Sequence, residues 1–148
     1  MKRKDKKMKK IVKLTVSAVL ALACIFSLLS CYEISREDRW AEAIYVADTE
    51  LGEGKKTAVV EVKVGDNMIT FTIHTDKSTV GEALMEHKLI SGENSEYGLY
   101  VKRVNGILAD YDADRSYWAF YIDGEYALTG VDSAPIVKGE IYRLEYTK

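Results

Sequence analysis

Thr57-Ala58-Val59-Val60-Glu61-Val62-Lys63-Val64-Gly65-Asp66-Asn67-Met68-Ile69-Thr70-Phe71-Thr72-Ile73-His74 is the stretch that decides the fold class. Val60, Val62 and Val64 alternate with Val59, Glu61 and Lys63, the period of two expected of a half-buried strand. Gly65-Asp66-Asn67 breaks the run as a hairpin turn does. Ile69, Phe71 and Ile73 then alternate with Met68, Thr70, Thr72 and His74, a second strand with one apolar face.

Downstream the period changes. Thr79-Val80-Gly81-Glu82 matches a capping box, in which the hydroxyl and the carboxylate satisfy free backbone N–H groups at a helix start. Val80, Ala83, Leu84 and His87 then form one largely apolar stripe, and the helix is expected to end near Ser91-Gly92. The remainder is strand-like. Tyr100–Val104 runs into Asn105-Gly106, and Tyr117–Ile122 runs into Asp123-Gly124. Both dipeptides favour two-residue hairpins, because Asn or Asp followed by Gly tolerates positive φ. Ile141–Tyr146 is the last strand. The order predicts an α+β domain with one short helix packed on a mixed sheet of about five strands.

Upstream, residues 32–56 are polar and charged and read as a tether. Trp40-Ala41-Glu42-Ala43-Ile44 could supply a turn of helix there. Met1–Lys10 is cationic and Ile11–Ser30 is mostly apolar, the layout of a secretory signal. Leu28-Leu29-Ser30-Cys31 resembles a bacterial lipobox, which implies diacylglyceryl modification of Cys31 and attachment of the mature chain to a membrane. Other readings fit the same residues: an uncleaved anchor over Leu14–Ser30, a poorer lipobox at Ala21-Leu22-Ala23-Cys24, or Cys31 as a plain buried thiol. All of them put the body outside the cytoplasm. The expected organisation is a signal over 1–30, the lipidated cysteine and tether over 31–56, and a domain over 57–148.

Charge follows the same division. Residues 1–31 net +7 and residues 32–148 net −9, which leaves the chain of 148 residues at −2. An acidic body is a poor nucleic-acid binder, since phosphate contacts need clustered Lys and Arg. Both cysteines, Cys24 and Cys31, lie in the first part, so a disulfide framework or a zinc–cysteine site is excluded downstream.

Enzyme chemistry has little support. His74 and His87 lie on a strand and a helix, with no G-x-S-x-G, H-E-x-x-H or phosphate loop in the chain. We therefore expect no catalytic residues and no metal centre. Asp110-Tyr111-Asp112-Ala113-Asp114 matches positions one, three and five of a calcium loop. However, Arg115 and Tyr121 stand where that loop requires Gly and Glu. An Asp-rich turn that caps backbone is the simpler reading.

The aromatic residues are more informative. Six of the ten tyrosines fall between Tyr97 and Tyr126, and Tyr117-Trp118-Ala119-Phe120-Tyr121 is apolar on both faces of its strand. One face must cover the core. The other either packs internally or offers rings on which a flat ligand can stack.

Thr79-Val80-Gly81-Glu82-Ala83-Leu84, Tyr97-Gly98, Val104-Asn105-Gly106, Trp118-Ala119-Phe120-Tyr121-Ile122-Asp123-Gly124, Gly130-Val131 and Val137-Lys138-Gly139-Glu140 follow one another in an order that resembles the transcobalamin-like C-terminal domain family. That family includes bacterial lipoproteins carrying a domain of unknown function. The resemblance covers residues 57–148 and implies a β-grasp-like fold related to soluble-ligand-binding domains. In the animal cobalamin carriers this domain closes over the vitamin from one side while a helical domain holds the other. The resemblance thus implies binding of a soluble ligand; cobalamin or another corrinoid is the expected ligand, and an importer or surface protein is the expected partner. The aromatic strand and this likeness together make Trp118, Tyr121 and Tyr117 the candidate stacking residues, with Tyr100, Tyr111 and Tyr126 as polar-tipped neighbours. Gly106 and Gly124 fall in turns beside the site. The competing expectation is a surface module that binds protein or wall polymer through a flat patch.

Overall fold

The computed structural model describes residues 38–148, so the signal, Cys24 and the lipidation expected at Cys31 lie outside the described residues. Among the described residues, nine strands form two sheets. β1 (Thr49–Leu51), β2 (Lys56–Val64), β3 (Asn67–Thr75), β7 (Tyr117–Ile122), β8 (Glu125–Tyr126) and β9 (Ile141–Thr147) build a six-stranded sheet in the order β1-β3-β2-β9-β7-β8. β4 (Ile90–Ser95), β5 (Gly98–Val104) and β6 (Ile107–Leu108) build a second sheet of three. The α-helices among the described residues are α1 (Val80–Glu86) and the single turn α2 (Tyr111–Asp114). The α+β class stands as expected, with the strands divided between two sheets rather than gathered in one.

β2 and β3 pair antiparallel as their alternation requires, joined by Gly65-Asp66 with Gly65 at φ 58°. β2 also pairs in parallel with β9, and β9 pairs antiparallel with β7. This register sets Val60, Val62, Ile69, Phe71, Ile73, Trp118, Phe120, Tyr142 and Leu144 on the inner face, where all are buried. The outer face carries cross-strand ion pairs, Glu61 with Arg143 at 2.7 Å and Lys63 with Glu145 at 2.9 Å. Each such half-exposed pair contributes well under ~1 kcal/mol, so burial on the other face holds the sheet.

The capping box forms. Glu82 N–H donates to Thr79 Oγ1 at 3.2 Å, and the Glu82 carboxylate accepts from the N–H groups of Ser78 and Thr79 at 3.0 and 3.1 Å. Those two backbone donors hold the Glu82 carboxyl below the usual carboxylate range. Val80, Ala83 and Leu84 seal α1 to the core.

The expected helix end near Ser91-Gly92 is corrected. α1 stops at Glu86, because Lys88 adopts φ 57°, Leu89 N–H returns to Leu84 O at 2.9 Å and Lys88 N–H returns to Met85 O at 3.0 Å. The next residues form β4.

The tether expected over residues 31–56 is also revised where it is described. From Arg39 the chain packs on the body as a strap. A 3₁₀ turn covers Arg39–Glu42, Trp40 and Tyr45 pack against the core, and the Tyr45 ring meets Phe71 edge-on at 5.5 Å. β1 then pairs in parallel with β3. Asn105, fully buried, fastens the strap: Tyr45 N–H donates to its Oδ1 at 2.9 Å and its Nδ2 donates to Tyr45 O at 2.8 Å. Among the described residues, no helix is long and apolar enough to cross a membrane.

Candidate functional site

The pairing of β7 with β9 sorts the aromatic strand. Trp118 lies opposite Tyr146 on the inner face, 7% exposed, with its ring edge-on to the Tyr146 ring at 5.5 Å. Phe120 stacks on Tyr142 at 6.3 Å. Trp118, expected to stack on a ligand, is thus a core residue, covered by the strand that lies last in sequence. Tyr117 and Tyr121 point to the outer face and are half-buried, flanking an Ala119 that is 1% exposed. Tyr126, opposite Tyr121 on β8, is exposed and meets it edge-on at 5.5 Å. The outer face therefore holds a shallow tyrosine platform.

The other expected residues stand elsewhere. Tyr100 is exposed on β5 opposite Glu93, whose carboxylate pairs with Lys102 at 2.6 Å. Tyr111 opens α2 with the Arg115 guanidinium 5.0 Å from its ring centre. Gly106 and Gly124 occupy left-handed turn positions as expected. A Cβ on Gly106 would come 2.7 Å from Glu42 O, so that turn lies beneath the strap, whereas Gly124 is open.

Two apolar side chains missed by pattern reading are the most exposed of their kind among the described residues. Tyr97 is 88% exposed at the β4–β5 tip and Leu128 is 98% exposed on the loop after β8. One residue brings those loops together. Asp132 Oδ2 accepts from Leu99 N–H at 3.2 Å, and Cβ atoms on Gly98 or Gly130 would approach the Asp132 carboxylate to 2.6 Å. Only glycine lets both backbones close on it. An isolated exposed Tyr or Leu carries no signal in sequence; the Gly98 and Gly130 positions around one Asp were the available clue.

A separate cleft of ≈ 330 Å³ lies between the end of α1 and the residues after β1 and β3, lined by Glu53, His74, Asp76, Lys77, Glu86 and His87. Its histidines are engaged or covered. His74 contacts Glu50 Oε1 through Nε2 at 2.6 Å and Thr57 Oγ1 through Nδ1 at 3.3 Å. His87 Nε2 is buried, 2.8 Å from where a Cβ on Gly52 would stand. Among the described residues, no three His, Cys, Asp or Glu side chains converge in a way that could hold a metal ion. The aspartates weighed for calcium have other work. Asp110 caps α2 through the N–H groups of Asp112 and Ala113, and Asp114 pairs with Arg39 at 3.0 Å. The Ser116 hydroxyl bonded to Asp114 draws that carboxyl below its usual range.

Comparison with known proteins adds the following. Residues 77–148 match the family model described as a domain of unknown function, DUF4430. No curated protein matches the chain. The crystal structure of a protein from Ruminococcus gnavus ATCC 29149, described as "a putative metal binding protein", is similar over 64% of this chain and 98% of its own, with 32% identity and a TM-score of 0.59. Haptocorrin in complex with Cbi is similar over 66% of this chain at 19% identity and a TM-score of 0.51. The chain spans 27% of that larger protein, and the likeness is one of fold. It agrees at that level with the transcobalamin-like motif order. At 32% identity over nearly the whole of that relative, the chain belongs to the same family as the Ruminococcus gnavus protein.

Proposed function

We propose that this is an extracytoplasmic protein, anchored to the bacterial cell membrane through diacylglyceryl at Cys31, whose folded body binds a corrinoid such as cobalamin and passes it to an importer. The carrying observation is the pair of exposed apolar side chains, Tyr97 and Leu128, on two loops that Asp132 holds together. Rings and branched chains left in water at braced loop tips are a surface prepared for a large, flat, partly apolar partner. A corrinoid fits this chemistry, because its cobalt is already chelated by the macrocycle. The fold likeness to haptocorrin and the description of the Ruminococcus gnavus relative support the coarser part of this reading, binding of a small soluble ligand. One module covers one face only, so binding should be weaker than in an enclosed site.

The test is calorimetric titration of the chain from Tyr32 onward with a cobalamin and cobinamide panel, with Trp fluorescence as a second readout. We expect saturable heat, reduced about tenfold or more by Tyr97→Ala with Leu128→Ala. These substitutions should change stability by no more than ~0.5 kcal/mol, as at most surface positions. Absence of both heat and quenching at high micromolar ligand would refute the proposal.

The outer tyrosine platform of Tyr117, Tyr121 and Tyr126 favours a second reading, a surface module for protein or wall polymer. It is flat where the first reading needs a rim. In that case, capture of a surface partner would depend on Tyr126 and be indifferent to corrinoids.

A further inference from the structure

We propose that Asp132 is a two-state clasp, which opens and closes the β4–β5 hairpin against the loop between β8 and β9. The base of the clasp is fixed. Gly81 N–H, in the first turn of α1, donates to Val131 O at 2.7 Å, and a Cβ on Gly81 would meet the Asp132 backbone at 2.9 Å. The moving part is the hairpin tip, since Ile90, Val101 and Val104 hold the rest of β4 and β5 in the core; the tip is attached through Leu99 N–H at 3.2 Å from Asp132 Oδ2.

The closed state carries a built-in opposing force. Asp132 Oδ1 is buried with no hydrogen-bond partner among the described residues, pressed between Gly98 at φ +104° and Gly130. A carboxylate oxygen stripped of water and given no donor is costly. Parting the loops rehydrates it, at the loss of the Leu99 bond and of the close backbone packing. Opening thus has a gain to set against its losses. Tyr97 sits beside the moving hairpin's Gly98 and Leu128 sits on the opposing loop, so an occupant touching both would shift the clasp shut. That consequence rests on the proposed ligand function; the clasp itself does not.

Amide hydrogen exchange on the ligand-free protein tests it, and so is independent of any corrinoid result. Leu99 N–H reports opening directly, while Val60 and Val62 report global unfolding. In the wild type, Leu99 should exchange at least ~10-fold faster than those core amides and with little dependence on low urea, the mark of local opening. Asp132→Asn keeps an acceptor for Leu99 and removes the charge from the buried, unpaired end of the side chain, so Leu99 exchange should slow about tenfold. Asp132→Ala should speed it. Leu99 exchanging in step with Val60 and Val62 in the wild type overturns the clasp, and this comparison needs no variant. Unchanged or faster Leu99 exchange in Asp132→Asn overturns the role of the orphan oxygen.

Discussion

Asn105→Ala tests how the strap is held. The wild-type side chain is fully buried and makes two bonds to the Tyr45 backbone, at 2.9 and 2.8 Å, while its own backbone stands at φ 49°. Alanine removes both bonds, each worth about 1 kcal/mol net, with more lost if the Tyr45 groups stay dry. It also puts a Cβ without Asn's local hydrogen bonding into left-handed backbone, at a cost of about 1 kcal/mol. The sum is about 3 kcal/mol. Urea unfolding followed by Trp fluorescence reads the loss, and Tyr45 N–H exchange reads release of the strap. Asn105→Gly removes the same bonds without the φ cost, so it should recover about 1 kcal/mol relative to alanine. Asn105→Asp keeps the acceptor but turns a carboxylate oxygen toward Tyr45 O, and should be at least as damaging as alanine. An alanine variant within ~0.5 kcal/mol of wild type, or a glycine variant no better than alanine, would show that the amide does not fasten the strap.

Three further outcomes follow from packing and charge. Trp118→Ala should cost about 3–5 kcal/mol in urea titration, as expected for a core aromatic, and a near-neutral change would place the indole outside the core. Gly81→Ala should destabilise despite its better helix propensity, because the added methyl would sit 2.9 Å from the Asp132 backbone; a stabilised variant in thermal melts would contradict that contact. Glu82 and Asp114 both titrate below the ordinary carboxylate range, through the Ser78 and Thr79 N–H groups and the Ser116 hydroxyl respectively. Their contributions are complete above the unfolded carboxylate pKa of about 4 and fade as pH falls through the lower folded values. The urea midpoint should therefore hold between pH 7 and 5 and drop toward pH 3, less steeply in a Glu82→Gln, Asp114→Asn double variant.

Local signals in this chain were legible wherever geometry depends on neighbouring residues. The β2–β3 alternation, the Thr79–Glu82 capping box and the positive-φ turns at Asn105-Gly106 and Asp123-Gly124 each need only a few adjacent residues. What escaped depends on distant partners. β4 is polar after Ile90 and takes strand form only because β5 lies beside it. The strap has no periodicity, and its fastening bonds join residues 45 and 105. Trp118 faces inward because β9 supplies Tyr146 as its cover, which residues 117–121 alone could not reveal. The exposed side chains were hidden for a similar reason: the loops carrying Tyr97 and Leu128 meet through Asp132, far in sequence from the Leu99 it holds.

The parallel pairing of β2 with β9 has a bearing on biogenesis. β9 joins β2 to β7 in the middle of the large sheet, yet it is synthesised after every strand it unites. A nascent chain ending before Ile141 has two unjoined halves and lacks Tyr142 and Leu144. Closure of the core must then await β9, which follows every strand it pairs with, and such long-range contacts slow folding. Any route that must thread this polypeptide through a translocon before it collapses would gain from that delay.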